Sequence, residues 1–302
     1  MEMESKLKNS CFVYTEAYNC GLILKKCLES FFKYHPDTIV NVFGTAKDFK
    51  ELGKFKNVEY IELSDDNDLR ECFKNGHLGT AHIGARVVKE FSKDSNYIIH
   101  FDSDVIFRKE SLSLLYSKIE EGYDLIGPRR CYKNNMNGRK DLGHLSDVSQ
   151  TYFYAFNKEK ISNYEFGILR HMIVGYYSPL NQPILDYFDP VCFDILKNGG
   201  KICFLDVDQV GGLTEAGNRN NKYPELNKDM DFGDNIIHFA GVGSGMKFYK
   251  KGLDNAEASY ADWAKKRFGL YHKLFYNSSL ENIEINDEVF NLLQKELNET
   301  TG

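Results

Sequence analysis

IIHFDSDVIF, running from Ile98 to Phe107, is apolar enough to form a buried strand, yet two acids interrupt it. Carboxylates at i and i+2 of a strand point to one face. Inside a buried strand such a pair is costly unless a cation neutralises it. At a strand end, Asp102 and Asp104 can converge on a hard, oxygen-preferring ion such as Mg²⁺ or Mn²⁺. The competing reading is an Asx turn, in which each Asp bonds only nearby backbone N–H groups. The apolar run Ile98 to Phe101 favours the metal. A second pair, Asp206 and Asp208, follows the apolar stretch Ile202 to Leu205. It ranks lower because less chain follows it to complete a site.

Outward from that strand, the first half alternates strand and helix patterns. CFVYTEAY from Cys11, Ile39 to Phe43, Val58 to Leu63 and Tyr123 to Gly127 read as further strands. Leu22 to Tyr34 carries helical apolar spacing that stops at His35-Pro36, and Leu78 to Phe91 reads as one helix. Such alternation predicts a mainly parallel sheet flanked by helices, with ligands beyond the carboxyl ends of its strands. The second half is less regular. Arg129 to Gln150 and Thr214 to Gly233 read as polar loops. Strands are expected at Thr151 to Phe156, Lys201 to Val207 and Ile236 to Phe239. Helices are expected at Pro190 to Lys197 and, beyond Ala256, around Trp263 and Val289 to Leu297.

A chain of 302 residues with 42% apolar content can bury a large core. Its formal charge of −6 comes without a basic stripe, which excludes nucleic acid as the expected partner. An anionic protein can still hold an anionic nucleotide when a cation mediates. The seven cysteines are scattered without a CxxC pair, so they read as free thiols rather than a disulfide framework or zinc knuckle. With a polar opening, MEMESKLKNS, and no run long enough to span a bilayer, the expected setting is cytoplasmic. The aromatic and lysine-rich C-terminal helices suit packing on their own domain, with peripheral membrane contact as the alternative.

At this point the sequence resembles the GT-A fold glycosyltransferases. IIHFDSDVIF is similar to their D-x-D strand, and LGTAHIGARVVKEF to the helix that precedes it. The resemblance implies a GT-A, Rossmann-like α/β fold with a mixed, mainly parallel sheet and a helical C-terminal extension. It implies a catalytic domain over residues 1–250, with a nucleotide-sugar half at 1–127 and an acceptor half at 128–250, and an extension over 251–302. It also implies a metal held by Asp102 and Asp104, with Ser103 near the donor ribose. IIHFAGVGSGMK resembles the H-x-x-G stretch of family 8 glycosyltransferases, which makes His238 the third metal ligand. That family's following lysine is replaced by Ser244, and Lys247 is the substitute. A histidine ligand favours Mn²⁺ over Mg²⁺.

Other donor contacts follow. Gly241, Gly243 and Gly245 would let backbone N–H groups approach phosphates. His82 and Arg86 share one helix face. Thr15, Glu16 and Tyr18 lie where this fold places the base and ribose. An inverting transfer needs a carboxylate base. Asp189, just before Pro190, resembles the acid that opens a helix in inverting members, although Asp-Pro is also an ordinary helix start. Asp194 is an alternative. NQPILD resembles a family 8 stretch at Gln182 alone, so a retaining course stays open. The expected substrates are a UDP-sugar or another nucleotide sugar and a glycan or other hydroxyl acceptor. Two rivals remain. IIHFDSDVIF also resembles the nucleophile strand of haloacid-dehalogenase-type phosphatases, with Asp102 as nucleophile. A non-catalytic sugar-binding protein could share the fold.

Overall fold

The computed structural model describes residues 10–63, 78–128, 149, 151–161, 175–177, 182–184, 188–205, 229–231, 235–251 and 258–299. Strand β1 (Cys11–Ala17) leads into helix α1 (Gly21–Tyr34). Ile23, Leu24, Cys27, Leu28 and Phe31 make its buried stripe. The helix stops at His35, before Pro36, where a proline disfavours further turns. Strand β2 (Val40–Gly44), helix α2 (Ala46–Leu52) and strand β3 (Val58–Glu62) follow. Asp48 ties two helix starts together. Its side chain bonds the Thr45 cap of α2 and accepts from Cys20 and Gly21 N–H at 3.0 and 3.3 Å, at the head of α1.

Next come helix α3 (Leu78–Arg86), strands β4 (Tyr97–Phe101) and β5 (Val105–Phe107), helix α4 (Leu112–Glu120), and strands β6 (Leu125–Pro128) and β7 (Phe153–Asn157). A short hairpin pairs β8 (Gly175–Tyr177) with β9 (Gln182–Ile184). Helix α5 (Asp189–Lys197) and strand β10 (Ile202–Leu205) complete the main sheet. The remaining elements are strands β11 (Asp229–Asp231) and β12 (Ile236–Phe239), and helices α6 (Val242–Lys251), α7 (Ala258–Tyr276) and α8 (Asp287–Glu299).

Seven strands form one sheet in the order β10-β6-β7-β4-β1-β2-β3. β7 runs antiparallel to both neighbours, and the other pairings are parallel. The mixed, mainly parallel, helix-flanked architecture expected from the sequence is present. One face packs on α1, α4 and α7, and the other on α3 and α5. A second sheet, β11-β12-β5, abuts the first.

Helices α2 and α4 and the β8–β9 hairpin lie where the sequence reading assigns no element, and four stretches take another form. Ile98 to Phe107 is two strands in two sheets, not one strand, because the ladder breaks at the charged residues. Leu78 to Phe91 is α-helical only to Arg86. A π-helical turn, Val87–Phe91, then closes with Ser92 N–H on Val87 O at 2.9 Å. Within the stretch read as loop, Asp229–Asp231 forms a strand on β12. Of the glycines read as a turn, only Gly241 has positive φ, +85°, whereas Gly243 and Gly245 lie inside α6.

Helix α7 packs along α6 and reaches α1. Tyr271 and Tyr276 donate their hydroxyls to Ile23 O and Leu22 O at 3.2 and 2.6 Å. Gly245 is required by this contact: a Cβ there would lie 1.9 Å from Ala264 O. No helix among the described residues is long and apolar enough to cross a membrane.

Candidate metal and donor site

Strand β4 lies at the centre of the main sheet and ends at Phe101. Asp102 N–H still donates to Tyr152 O at 2.9 Å, the last rung toward β7. Ser103 and Asp104 make a turn, and the chain enters the second sheet at Val105. The acids therefore sit at the seam between two sheets, beyond the carboxyl end of a central parallel strand. Antiparallel pairing sets Val105 opposite His238, and Phe239 N–H donates to Asp104 O at 2.9 Å. That register carries the imidazole to the acids: His238 Nε2 lies 3.5 Å from Asp104 Oδ1. The Tyr152 ring stacks on His238 at 4.3 Å between centroids, with 14° between planes. Tyr152 thus supports both the backbone of Asp102 and the ring of His238.

Asp102, Asp104 and His238 each offer a ligand atom, and these atoms lie within 4.8 Å of one another. Opposite ligands of a Mg²⁺- or Mn²⁺-sized ion stand about 4.2 Å apart. A small inward movement of side chains would meet that span. His238 Nδ1 is buried without a hydrogen-bond partner, so the ring has polar capacity that the fold leaves unused. Two carboxylates and one imidazole fit a hard-to-borderline divalent ion. Two thiols nearby do not join the set. Cys27 Sγ reaches Asp102 O at 3.6 Å, and burial pushes the Cys27 thiol well above its ordinary range and that of Cys20 up to about 12. Neither thiol belongs to a group whose ligand atoms converge, among the described residues.

A second group lies deeper. His100, two residues before Asp102 on the same face of β4, has no exposed surface. Its Nε2 lies 2.7 Å from Glu16 Oε2 and 3.8 Å from Asp102 Oδ1. Burial works against a charged imidazole, but the bonded Glu16 carboxylate outweighs it, so His100 titrates above its ordinary value. For Asp102, burial and the neighbouring Asp104 and Glu16 carboxylates push the carboxyl up to about 7, against the pull of both imidazoles. Its side chain keeps 29% exposure, which lets water soften that push. Neither His100 nor Tyr152 is singled out by the sequence reading. For His100, the available signal is a titratable residue at i−2 of Asp102 in an apolar strand.

The other sequence candidates are distributed as follows. Thr15 and Glu16 lie within β1 rather than after it, both buried. Tyr18 lies just beyond β1, partly buried on the α3–α5 side. Ser103 is at the turn between the acids, and Cys20 bonds its side chain. His82 is half-buried on α3. Arg86 pairs with Glu90 at 3.0 Å and covers the Phe91 ring. Gly241 lies directly under Trp263, where a Cβ would stand 2.7 Å from the ring. Gly243 lies in the first turn of α6, and Lys247 is exposed along it. Asp189 and Asp194 are buried on α5. Asp189 follows Phe188, whose ring stacks on Tyr154 at 4.0 Å, and Tyr154 lies against His100 at 4.9 Å. Gln182 belongs to β9, opposite Tyr177. Asp206 and Asp208 fall outside the described residues.

Fold and site together define a Rossmann-like α/β protein with an acid–acid–imidazole cluster at the carboxyl end of its sheet. Among solved structures, the chain is similar to the galactosyltransferase LgtC in complex with donor and acceptor sugar analogues, at 13% identity. The match covers 83% of this chain and 99% of that one, with a TM-score of 0.45. It is similar to mouse xyloside xylosyltransferase 1 in its apo form, at 13% identity over 76% and 97% of the two chains, TM-score 0.46. It is also similar to 4-diphosphocytidyl-2C-methyl-D-erythritol synthase from Anaerococcus prevotii DSM 20548, at 15% identity over 68% and 89%, TM-score 0.43. No protein-family model and no curated protein matches the chain.

Proposed function

We propose that this chain is a metal-dependent glycosyltransferase that moves a sugar from a nucleoside-diphosphate sugar, with UDP-sugars favoured, to a hydroxyl of a glycan or other acceptor. One observation carries the reading: Asp102, Asp104 and His238 converge from a sheet end and a neighbouring strand on one small volume. Those three residues would hold Mn²⁺ or Mg²⁺, and the imidazole favours Mn²⁺. When bound, the ion supplies Lewis-acid stabilisation to a departing diphosphate. Ser103, between the acids, would meet the donor ribose. The N-terminal turn of α6, entered through Gly241, offers backbone N–H groups to phosphate oxygens, and exposed Lys247 adds a positive charge along the same helix. Asp189 has no exposed surface, so it serves as acceptor base only if the first turn of α5 opens.

The phosphatase alternative is less well supported. It needs a lysine beside the Asp102 nucleophile. Among the described residues, the ion pairs at Asp102 and Asp104 are to imidazoles, His100 and His238, and none is to a lysine.

Calorimetric titration of the full chain with UDP or GDP, with and without Mn²⁺, tests the proposal. Nucleotide should bind only with Mn²⁺, Asp104→Ala should lose that binding, and Asp208→Ala should keep it. The reverse pattern would move the site to the second acid pair. A phosphoaspartate trapped at Asp102 without nucleotide affinity would establish the phosphatase instead.

A further inference from the structure

The proposed metal set leaves a buried ionic pair behind it without a task. Tyr14, His100 and Tyr154 are opposite one another on three adjacent strands. The two tyrosine rings flank the imidazole, with centroids at 4.8 and 4.9 Å. One pleat further toward the carboxyl end, on the same face, stand Glu16 and Asp102. Glu16's side chain is 9% exposed, and its Oε1 is buried with no hydrogen-bond partner. His100 Nδ1 is also buried with no hydrogen-bond partner. Burying a carboxylate and an imidazole in the middle of a sheet carries a large desolvation cost, and apolar residues of similar volume often stabilise such a position as well or better. Packing alone therefore does not explain the pair.

We propose that Glu16 and His100 are positioning residues for Asp102, and this rests on reading Asp102 as a metal ligand. The imidazole is fixed in its plane by two tyrosines and in its direction by Glu16 Oε2 at 2.7 Å. Its Nε2 edge then faces Asp102 Oδ1 at 3.8 Å. Glu16 positions Asp102 through that ring, in addition to the direct repulsion between the two carboxylates. Glu16, His100 and Asp102 also bring ligand atoms within 4.8 Å of one another, but His100 Nε2 is engaged by Glu16 Oε2 at 2.7 Å, so no ion is assigned to His100 and one ion to the site. At 3.8 Å the ring acts on Asp102 through charge and packing rather than a hydrogen bond, as an outer support to the proposed ligand. It also places the acid at the sheet seam under joint control of β1 and β4.

The test is a double-mutant cycle on the full chain, read by Mn²⁺ titration with electron paramagnetic resonance and by thermal melting in EDTA. Glu16→Gln keeps the volume and an acceptor for His100 but removes the charge, and His100→Gln removes the ring. Each should weaken Mn²⁺ binding about 10-fold or more, at an unchanged one ion per chain. The double variant should lose no more than the weaker single variant, since both act along one path. Additive losses would overturn the proposal by showing that Glu16 acts independently of the ring. Parent-like affinity in a well-folded Glu16→Gln chain would overturn it too. Two ions in the parent and one in Glu16→Gln would replace it with a second metal site. Should His100→Gln fail to melt cooperatively, Glu16→Gln alone decides. Mn²⁺ binding lost in Asp104→Ala but intact in Glu16→Gln refutes the positioning role alone. No Mn²⁺ binding by the parent refutes the metal reading with it.

Discussion

Gly245→Ala is a single-methyl change far from the acids that should disturb both stability and metal affinity. The new Cβ would stand 1.9 Å from Ala264 O, 2.6 Å from Ala264 C and 2.9 Å from Phe268 Cβ. The nearest two atoms are backbone, so no side-chain rotation relieves them. Helices α6 and α7 must separate by roughly 1.5 Å to restore ordinary contact. Overpacking of this kind costs about 3 kcal/mol, at the upper end of its usual range. For a chain of 302 residues, that is a fall of about 5 °C in Tm. The displaced helix begins at Val242, three residues after β12, so the turn beyond His238 moves with it. Differential scanning calorimetry should show the lower Tm, and Mn²⁺ titration a weaker site. A variant that melts within about 1 °C of the parent and binds Mn²⁺ as tightly would refute the rigid α6–α7 contact and its coupling to the histidine.

Two further perturbations follow. In EDTA, stability should fall from about pH 5 to pH 8. Folding raises Asp102 from 3.8 to about 7 and His100 from 6.5 upward, so the folded chain holds protons that the unfolded chain releases across that range. Saturating Mn²⁺ should flatten the profile, which thermal melts at each pH would check; a rise in Tm with pH in EDTA contradicts the assigned environments. Asp189→Asn should keep Mn²⁺-dependent UDP binding yet lose sugar transfer, followed by chromatography of acceptor products; full turnover would remove Asp189 as base.

Where local sequence and burial agree, the chain could be read directly. α1 announces itself through its apolar stripe and the His35-Pro36 stop, and Ile236–Phe239 matches its strand to the residue. α4 carries an equally plain helical stripe at Leu112, Leu115, Tyr116 and Ile119, yet the sequence reading assigns no helix there. The acid pair was legible because two charges in an apolar run need a reason. What the sequence could not supply was partnership across strands. Nothing local says that Val105 will face His238, or that Glu16 and His100, 84 residues apart, will meet. Pairing of that kind depends on register between distant segments. The glycines of α6 misled for a related reason. Their meaning lies in what packs against them: Trp263 at Gly241 and Ala264 at Gly245.

Helix α7 bears on how the gene can be handled. Its Arg267 is almost wholly buried, spreads over the Trp263 ring and donates to Ala240 O at 2.6 Å, two residues past the proposed histidine ligand. Two tyrosines of the same helix grip carbonyls near the chain's beginning. Expression boundaries, tags and protease sites placed between residues 252 and 257 would therefore cut a brace rather than shed a tail. The fragment left behind would expose Phe239 and release the bend on which the imidazole depends.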